Sequence, residues 1–398
     1  MKNDTQLDWL ISKTKGDVVI WIIVFMLSIF SLLAVYSSTG TMAYKYQSGN
    51  TEYYLFKHLF LMCFGLAMLY LCHKINYVYY SRVSQILLWI SVPLLIFTYI
   101  AGSNINQAHR WITLPGINLS FQTSDLAKLA LIMYTARMLS KKQEVITDFK
   151  KGTLPIILPA IIICGLIAPA NLSTAAVLFA TCLLIMFIGR MNFKHIALIV
   201  FSGLIFIVSI IIVLHKIGQS THHPIGRVET WVSRVENFMG DGNQEEYFQS
   251  QQAKIAVATG GFFGKGPGNS VEKNFLPNPY SDFIFAIIVE EYGYLGGLFL
   301  IFLYMLLLYR SIRIVVKSPK AFGALLAAGL CFSLVLQAFV NMGVAVHIFP
   351  VTGLTMPLVS MGGTSLWFTS IAFGIILSVS RDIEENEELE PDIVLGES

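Results

Sequence analysis

Repeated apolar segments of membrane-spanning length constrain this chain more than any other feature. A transmembrane helix needs about 20 consecutive, mostly apolar residues. Only 13% of the 398 residues are charged, whereas soluble proteins carry about 25% charged residues. The sequence therefore predicts an all-α, polytopic membrane helix bundle with about ten transmembrane helices and no separate soluble domain. We place these helices at residues 18–38, 55–73, 83–101, 125–140, 153–169, 174–189, 194–215, 281–309, 321–346 and 364–380.

Lysine and arginine residues cluster in every second loop between these segments. With ten spans all of these loops lie on one side, which the positive-inside rule identifies as the cytoplasm. The fourth segment is short and contains Lys128 and Arg137, so we expect it to pack inside the bundle. Both termini are predicted to be cytosolic. Residues 1–17 form a cytosolic segment, residues 18–380 the transmembrane domain, and residues 381–398 an acidic tail that we expect to be disordered.

The loop of residues 216–280 is the longest connection, and it faces outward in this topology. Connections of this length are usually functional. Val228, Trp231 and Val235 recur at helical spacing, which suits an amphipathic helix at the membrane interface. This helix is either a lid without chemistry or part of a site. Five closely spaced glycines at residues 260–268 match no nucleotide-binding motif, and form either a flexible turn or a backbone site for an anion.

Three carboxylates belong to the eighth membrane-length segment, where charge costs free energy and calls for an explanation. Ser281 is a suitable N-cap, which would place Asp282 in the first helical turn at the outer mouth of the bundle. Glu290 follows eight residues later, about 12 Å deeper along a helix. Each has a structural alternative. The helix dipole would stabilise Asp282 in the first turn without any catalytic role. Glu290 and Glu291 would form a buried polar contact with a cation on another helix, such as Lys128.

Glycine and proline are dense between the last two segments, from residue 347 to residue 363. Irregular backbone inside a membrane occurs only where it is buried or lines a cavity, so we predict a re-entrant segment here. Arg110 and Lys128 are predicted to lie in the outward-facing half of the bundle, where these cations could contact a phosphate. The five cysteines have no metal-ligand spacing, and we interpret them as buried small hydrophobic residues.

Four motifs together resemble the SEDS family (shape, elongation, division and sporulation), which includes FtsW and RodA. They are FLPNPYSDFIFAIIVEEYGYLG at 275–296, GLTMPLVSMGGTSL at 353–366, HRWITLPGINLSFQTSDLAKLAL at 109–131 and GGFFGKGPGNS at 260–270. The resemblance covers nearly the whole chain, and GNSVEKNFLP and GLTMPL are more similar to the division-type FtsW branch than to RodA. The chain departs from the family pattern at Asn171, where an aspartate is usual.

The resemblance implies a peptidoglycan glycosyltransferase that polymerises lipid II at the outer face of the bacterial cytoplasmic (inner) membrane. The FtsW branch implies septal wall synthesis in cell division. Implied partners are a class B penicillin-binding protein transpeptidase and other divisome proteins, with no nucleic acid. We predict no cofactor, although a divalent cation, Mg²⁺ or Mn²⁺, is an alternative that diphosphate chemistry leaves open.

The family's essential aspartate matches Asp282, and we hypothesise that Asp282 is the general base that activates the acceptor hydroxyl. Arg110, Lys128 and Lys265 are candidate contacts of the substrate diphosphate, and Glu290 is a candidate for shaping the cavity.

Two other functions compete with polymerisation. A transporter that flips lipid II across the membrane would also need intramembrane carboxylates and broken helices. Such a transporter needs a charged path through the midplane, whereas Asp282 is expected at the outer rim. An intramembrane serine protease using His347 is the weaker alternative, because no GxSxG motif is present.

Overall fold

The computed structural model describes residues 15–46, 49–105, 108–114, 119–221, 228–239 and 244–396. Its α-helices are α1 (Val18–Ser38), α2 (Gly40–Tyr46), α3 (Thr51–Lys74), α4 (Val78–Ala101), α5 (Thr123–Lys141), α6 (Leu154–Ile167), α7 (Leu172–Ile188), α8 (Phe193–Thr221), α9 (Val228–Met239), α10 (Gln244–Gly260), α11 (Ile284–Lys317), α12 (Ala321–Ala345) and α13 (Thr364–Gly396). Three antiparallel strands, β1 (Ser103–Ile105), β2 (Ala108–Leu114) and β3 (Leu119–Gln122), form one sheet in the order β1-β2-β3.

Each of the ten predicted membrane segments coincides with a helix, so the all-α membrane bundle is confirmed. Among the described residues, seven helices are long and apolar enough to cross a membrane. Helix α7 and residues Phe193–Ile205 of α8 are apolar but shorter. Helix α5, the weakest of the predicted spans, is helical and largely buried against its neighbours. It therefore packs inside the bundle, as its two cations suggested.

The small sheet was not predicted, because its strands are only three to seven residues long and lie within a loop. It is attached to the helices at the start of α13. The Thr364 hydroxyl accepts a hydrogen bond from the backbone N–H of Gln122 at 3.2 Å and donates to the Ser120 carbonyl at 3.1 Å. The rings of Phe121 and Phe368 pack at 5.6 Å between centroids. These contacts fix the sheet over one end of the bundle.

The sequence predicted a disordered tail after residue 380, whereas α13 continues as a helix to Gly396 in this structure. Glutamate is a good helix former, and the first turns of the tail are held by other parts of the chain. The Arg381 guanidinium donates to the His73 carbonyl at 2.9 Å, and Lys317 pairs with Glu387 at 2.8 Å. The proposed boundary at residue 380 therefore lies within one helix. Residues 1–14 of the predicted N-terminal segment lie outside the described residues.

Helix α11 is two helices joined by a sharp turn at Gly293. This residue has φ 70° and ψ −173°, a conformation essentially restricted to glycine. A Cβ atom on Gly297 would lie 2.9 Å from Val289 Cγ2 and 3.4 Å from the ring of Phe285. Residues twelve apart are about 18 Å apart along a straight helix. Residues 284–292, the outer arm, therefore fold back at an acute angle against residues 294–317, the spanning arm.

The glycine loop of residues 260–270 packs against this turn. The backbone N–H groups of Lys265 and Gly266 donate to the carbonyls of Glu290 and Glu291, at 2.9 and 3.0 Å. The Tyr294 N–H returns a bond of 2.8 Å to the Gly261 carbonyl. The glycines therefore let the backbone of this loop approach the backbone of α11 closely. The sequence alternatives, a flexible turn or an anion site, did not include this role.

Helix α1 runs beside α11 and shows how far each part of α11 lies from the ends of the bundle. At the N-terminal end of α1, Asp17 pairs with Arg310 of the spanning arm at 2.6 Å. At the other end, the Ser37 hydroxyl donates to Glu291. Ser31, six residues before Ser37 and so about 9 Å nearer the N-terminal end of α1, donates to the Val359 carbonyl at 2.8 Å.

The site around Asp282 lies at this inner level, because Ser360 follows Val359 and its hydroxyl donates to the Ser281 carbonyl at 2.7 Å. The predicted depths are therefore reversed. Glu290 and Glu291 lie at the outer turn of α11, and Asp282 lies deeper. The helical rise gave the wrong order of depths for Asp282 and Glu290. The chain enters the bundle as a loop that contains Asp282, and the outer arm then runs back from this loop toward the outer turn.

Candidate active site

Asp282 lies in a tight turn just before α11, which begins at Ile284. Ser281 is not an N-cap as predicted. Its hydroxyl instead donates to Asp282 Oδ1 at 3.1 Å. The backbone of the turn is fixed from two other elements. The Asn341 amide donates to the Asp282 carbonyl at 3.0 Å, and Ser360 holds the Ser281 carbonyl. The position of the carboxylate thus depends on α12 and on the segment that follows it.

That segment, residues 346–363, is the irregular re-entrant segment that the sequence predicted. It is tied into the bundle through its carbonyl groups. Tyr304 of the spanning arm donates to the Pro357 carbonyl at 2.6 Å, and Asn341 also donates to the Leu354 carbonyl at 2.7 Å. The Gln337 amide donates to the Thr355 carbonyl at 2.7 Å. Buried backbone polar groups are therefore satisfied by side chains of the surrounding helices.

The ionisation of Asp282 is shifted by its surroundings. The loss of hydration around this partly exposed side chain raises the pKa of its carboxyl, and this effect exceeds the opposing ones. The Ser281 hydrogen bond lowers the pKa, as do the charges of Arg110 and Arg234. Desolvation of the carboxyl is therefore the largest of these effects on the pKa of Asp282.

Arg110, on β2, faces Asp282 across Gly353. A Cβ atom on Gly353 would lie 3.8 Å from Arg110 Nη1 and 4.0 Å from Asp282 Oδ2. Gly353 also has a φ of +67°, so a side chain here would be strained and would fill the space between the two charges. Arg110 Nε donates to the Ala170 carbonyl at 2.7 Å, which orients the guanidinium. The structure therefore brings Arg110, a candidate diphosphate contact, close to Asp282.

Lys128 lies next to this centre rather than in it. Its ammonium donates to Gln337 Oε1 at 2.9 Å and lies 3.5 Å from Asp125 Oδ1. Gln337 precedes Asn341 by one helical turn on α12, which is about 6 Å along the helix axis. Lys128 therefore contacts the residue one turn before Asn341, which holds the Asp282 turn, and not Asp282 itself. It does not pair with Glu290, contrary to the structural alternative considered for that residue.

Lys265 and Glu290 form a separate cluster at the outer turn of α11. The ammonium lies 2.6 Å from Glu290 Oε1, and Glu290 is fully buried. The same carboxylate accepts hydrogen bonds from the Ser270 hydroxyl and from the N–H groups of Val271 (3.0 Å) and Glu272 (3.3 Å). The structure does not bring Lys265 or Glu290 to Asp282. They hold the glycine loop on the turn of α11.

An apolar groove of about 530 Å³ lies against α11 and α12. Both arms of α11, the outer end of α12 and the start of the re-entrant segment line it. Its lining includes Phe285, Val289, Leu298, Ile301, Phe339 and Phe349. Phe285 follows Asp282 by three residues, so the groove and the charged centre involve neighbouring parts of the chain.

Comparison with known proteins places the whole arrangement in one family. The family model described as cell cycle protein, for FtsW, RodA and SpoVE, matches residues 17–385. The chain belongs to the FtsW/RodA/SpoVE family. It is 32% identical to stage V sporulation protein E of Bacillus subtilis over 93% of this chain and 98% of that protein. It is also 32% identical to a probable peptidoglycan glycosyltransferase FtsW of Trichlorobacter lovleyi, over 92% and 94% of the two chains.

A solved structure of a peptidoglycan synthase complex that coordinates polymerization and crosslinking contains a similar chain. The TM-score is 0.69 at 25% identity, with 92% of this chain and 98% of that chain covered. The SEDS resemblance is thereby confirmed, as is membership of a family of peptidoglycan glycosyltransferases. Like the helical bundles of its relatives, this FtsW/RodA/SpoVE-family protein is a multi-pass membrane protein.

Sequence reasoning missed three residues of this family member's site. Gln337 and Asn341 are polar, lie one turn apart on an apolar helix, and are buried. Their spacing on one helical face was a usable signal. Arg234 was noticed only as part of an interfacial helix.

Among the described residues, no group of three or more His, Cys, Asp or Glu side chains is arranged to hold a metal ion.

Proposed function

We propose that this protein polymerises lipid II, with Asp282 as the general base for the acceptor sugar hydroxyl. The observation that supports this most is the placement of Asp282 and Arg110 on either side of Gly353. A base and a cation then border one small space at the end of an apolar groove. This pairing suits a reaction in which a hydroxyl loses its proton while an anionic leaving group departs.

In the proposed step, the acceptor hydroxyl oxygen attacks the anomeric carbon of the donor sugar. The bond between that carbon and the diphosphate oxygen breaks, and undecaprenyl diphosphate leaves with the bonding electron pair. The hydroxyl proton passes to Asp282. The raised pKa of this carboxyl makes it a stronger base than an ordinary aspartate, and the guanidinium of Arg110 offsets the charge that develops on the diphosphate.

The apolar groove offers a place for the polyprenyl chain of the substrate. Its lining is almost entirely aliphatic and aromatic, and Phe285 in that lining follows Asp282 by three residues. A lipid chain in this groove would bring its diphosphate to the end where the charged residues lie.

We extend the proposal to location and partners. Asp17, Arg310 and Arg381 gather at one end of the bundle, which fits a cytosolic face of the inner membrane with both termini inside. The likeness to a chain from a polymerising and crosslinking complex supports a class B penicillin-binding protein as partner. Relatives named FtsW support a role in septal wall synthesis with other divisome proteins.

The experiment that tests this function is polymerisation of lipid II by the purified protein with its co-purifying transpeptidase, wild type beside Asp282→Ala. Glycan ladders from the wild type, and none from an equally folded Asp282→Ala variant, are the expected result. Ladders from both proteins would remove Asp282 from the chemistry. No ladder from either, together with lipid II transfer between leaflets of reconstituted vesicles, would replace polymerisation by transport.

A further inference from the structure

The amphipathic helix α9 packs against the re-entrant segment, and the sequence left open whether this helix is part of a site. Its orientation follows from one aromatic contact. The ring of Phe238 packs 4.9 Å from the ring of His347, which lies at the start of the re-entrant segment. Arg234 lies four residues, about one turn, before Phe238, so both lie on the same side of the helix. The side of α9 that meets the re-entrant segment therefore carries a guanidinium.

Arg234 is a cation with an unused donor. Its Nε is shielded from solvent and has no hydrogen-bond partner among the described residues. A buried guanidinium N–H without an acceptor is unfavourable, so its position calls for a ligand. The Arg234 charge lies close enough to Asp282 to lower the pKa of that carboxyl, as does the charge of Arg110.

The other candidate cations differ from Arg234 in this respect. Lys265 is occupied by Glu290, and Lys128 by Asp125 and Gln337. Arg110 Nε is bonded to a backbone carbonyl. Of the four, Arg234 is the one whose buried donor lacks an acceptor within the described part of the chain.

We propose that Arg234 binds the diphosphate of the lipid-linked substrate, so that Arg110 on β2 and Arg234 on α9 hold this group from two different elements. This inference rests on the proposed polymerase function and adds a binding residue to the same site. Arginine suits the role because its planar fork of donors matches phosphate oxygens in pairs. The diphosphate gains negative charge as the glycosidic bond breaks, so the contact strengthens in the transition state and acts on kcat as well as on KM.

The test uses two readouts on the purified complex in nanodiscs. The first is kcat/KM for lipid II polymerisation. The second is the affinity for undecaprenyl diphosphate relative to undecaprenol, which share the lipid chain and differ in the head group. We expect Arg234→Gln to lower kcat/KM by about 10²-fold, the usual effect of losing one charge-stabilising donor. It should weaken binding of the diphosphate and leave binding of undecaprenol unchanged.

Lys254→Gln is the matched control, because it removes an equal charge from an exposed position on the neighbouring helix α10. Its kcat/KM and head-group selectivity should stay close to those of the wild type. Arg234→Lys keeps the charge without the fork and should fall between wild type and Arg234→Gln. If Arg234→Gln is poorly folded, recovery of Arg234→Ala activity by added guanidinium provides an independent measurement.

Unchanged diphosphate selectivity in a folded Arg234→Gln variant would overturn the inference. An equal loss in Lys254→Gln would also overturn it, because the effect would then be one of overall charge. A wild-type complex that makes no glycan would refute the polymerase function. The binding comparison would still decide whether Arg234 recognises the diphosphate.

Discussion

Replacement of Gly293 by alanine tests the fold-back turn that places Asp282 inside the bundle. A Cβ atom on this residue would lie 2.3 Å from the Phe262 carbonyl oxygen and 2.5 Å from the Gly264 nitrogen. Both are backbone atoms, so no side-chain rotation relieves the clash. The φ of 70° with ψ of −173° is also nearly closed to alanine.

The magnitude of the effect follows from two contributions. Backbone strain in this region costs about 1–3 kcal/mol. To remove the clash, the glycine loop must move away from the turn and lose the hydrogen bonds that join Lys265, Gly266 and Tyr294 to the facing backbone. Each is worth about 1 kcal/mol. We therefore expect Gly293→Ala to lower the free energy of unfolding by about 4–6 kcal/mol.

Gly268→Ala is the control, because Gly268 has a φ of +81° but no atom within 4 Å of an added Cβ. It should cost only about 1–2 kcal/mol of backbone strain. Denaturation by SDS in bicelles measures both variants, and lipid II polymerisation reports the effect on the site. Equal stabilities of the two variants, with polymerisation retained by Gly293→Ala, would refute the fold-back account.

Three further predictions concern the two carboxylate sites. Lys265→Met should destabilise the protein by about 3–5 kcal/mol in the same denaturation assay, because the buried Glu290 carboxylate then lacks its cation. The double variant Lys265→Met/Glu290→Gln should recover most of this loss. Asn341→Leu should cost about 1–3 kcal/mol of stability for each of the two carbonyls that lose their hydrogen bond. It should also slow polymerisation because the Asp282 turn loosens, and unchanged polymerisation kinetics would contradict this. The base form of Asp282 is lost as pH falls through its raised pKa, so the acidic limb of the kcat/KM–pH profile should lie above the ordinary aspartate value of about 3.9; a profile flat down to that value would disagree.

The sequence was sufficient for the helices because each apolar segment carries its own signal. Hydrophobic length and the distribution of lysine and arginine depend on local composition, and all ten predicted segments are helices. The contact between the Asp282 turn and the re-entrant segment, through Ser360 and the Ser281 carbonyl, was not predicted.

The arrangement within the bundle was harder to predict, because it depends on single backbone conformations. The left-handed φ of Gly293 reverses the direction of α11, and no hydropathy pattern marks that reversal. The pairing of Lys265 with Glu290 follows from the reversal, since both belong to the turn it creates. Arg234 reaches Asp282 through tertiary packing of α9 alone, and so local sequence gave only its amphipathic character.

The most direct test of the central claim is the single-turnover rate of polymerisation by Asp282→Asn with lipid II already bound. Asparagine keeps the size of the side chain but cannot take the proton from the acceptor hydroxyl. We predict that the rate falls by at least about 10²-fold, while the affinity for lipid II changes little. A rate within about threefold of the wild type would contradict the role of Asp282 as general base.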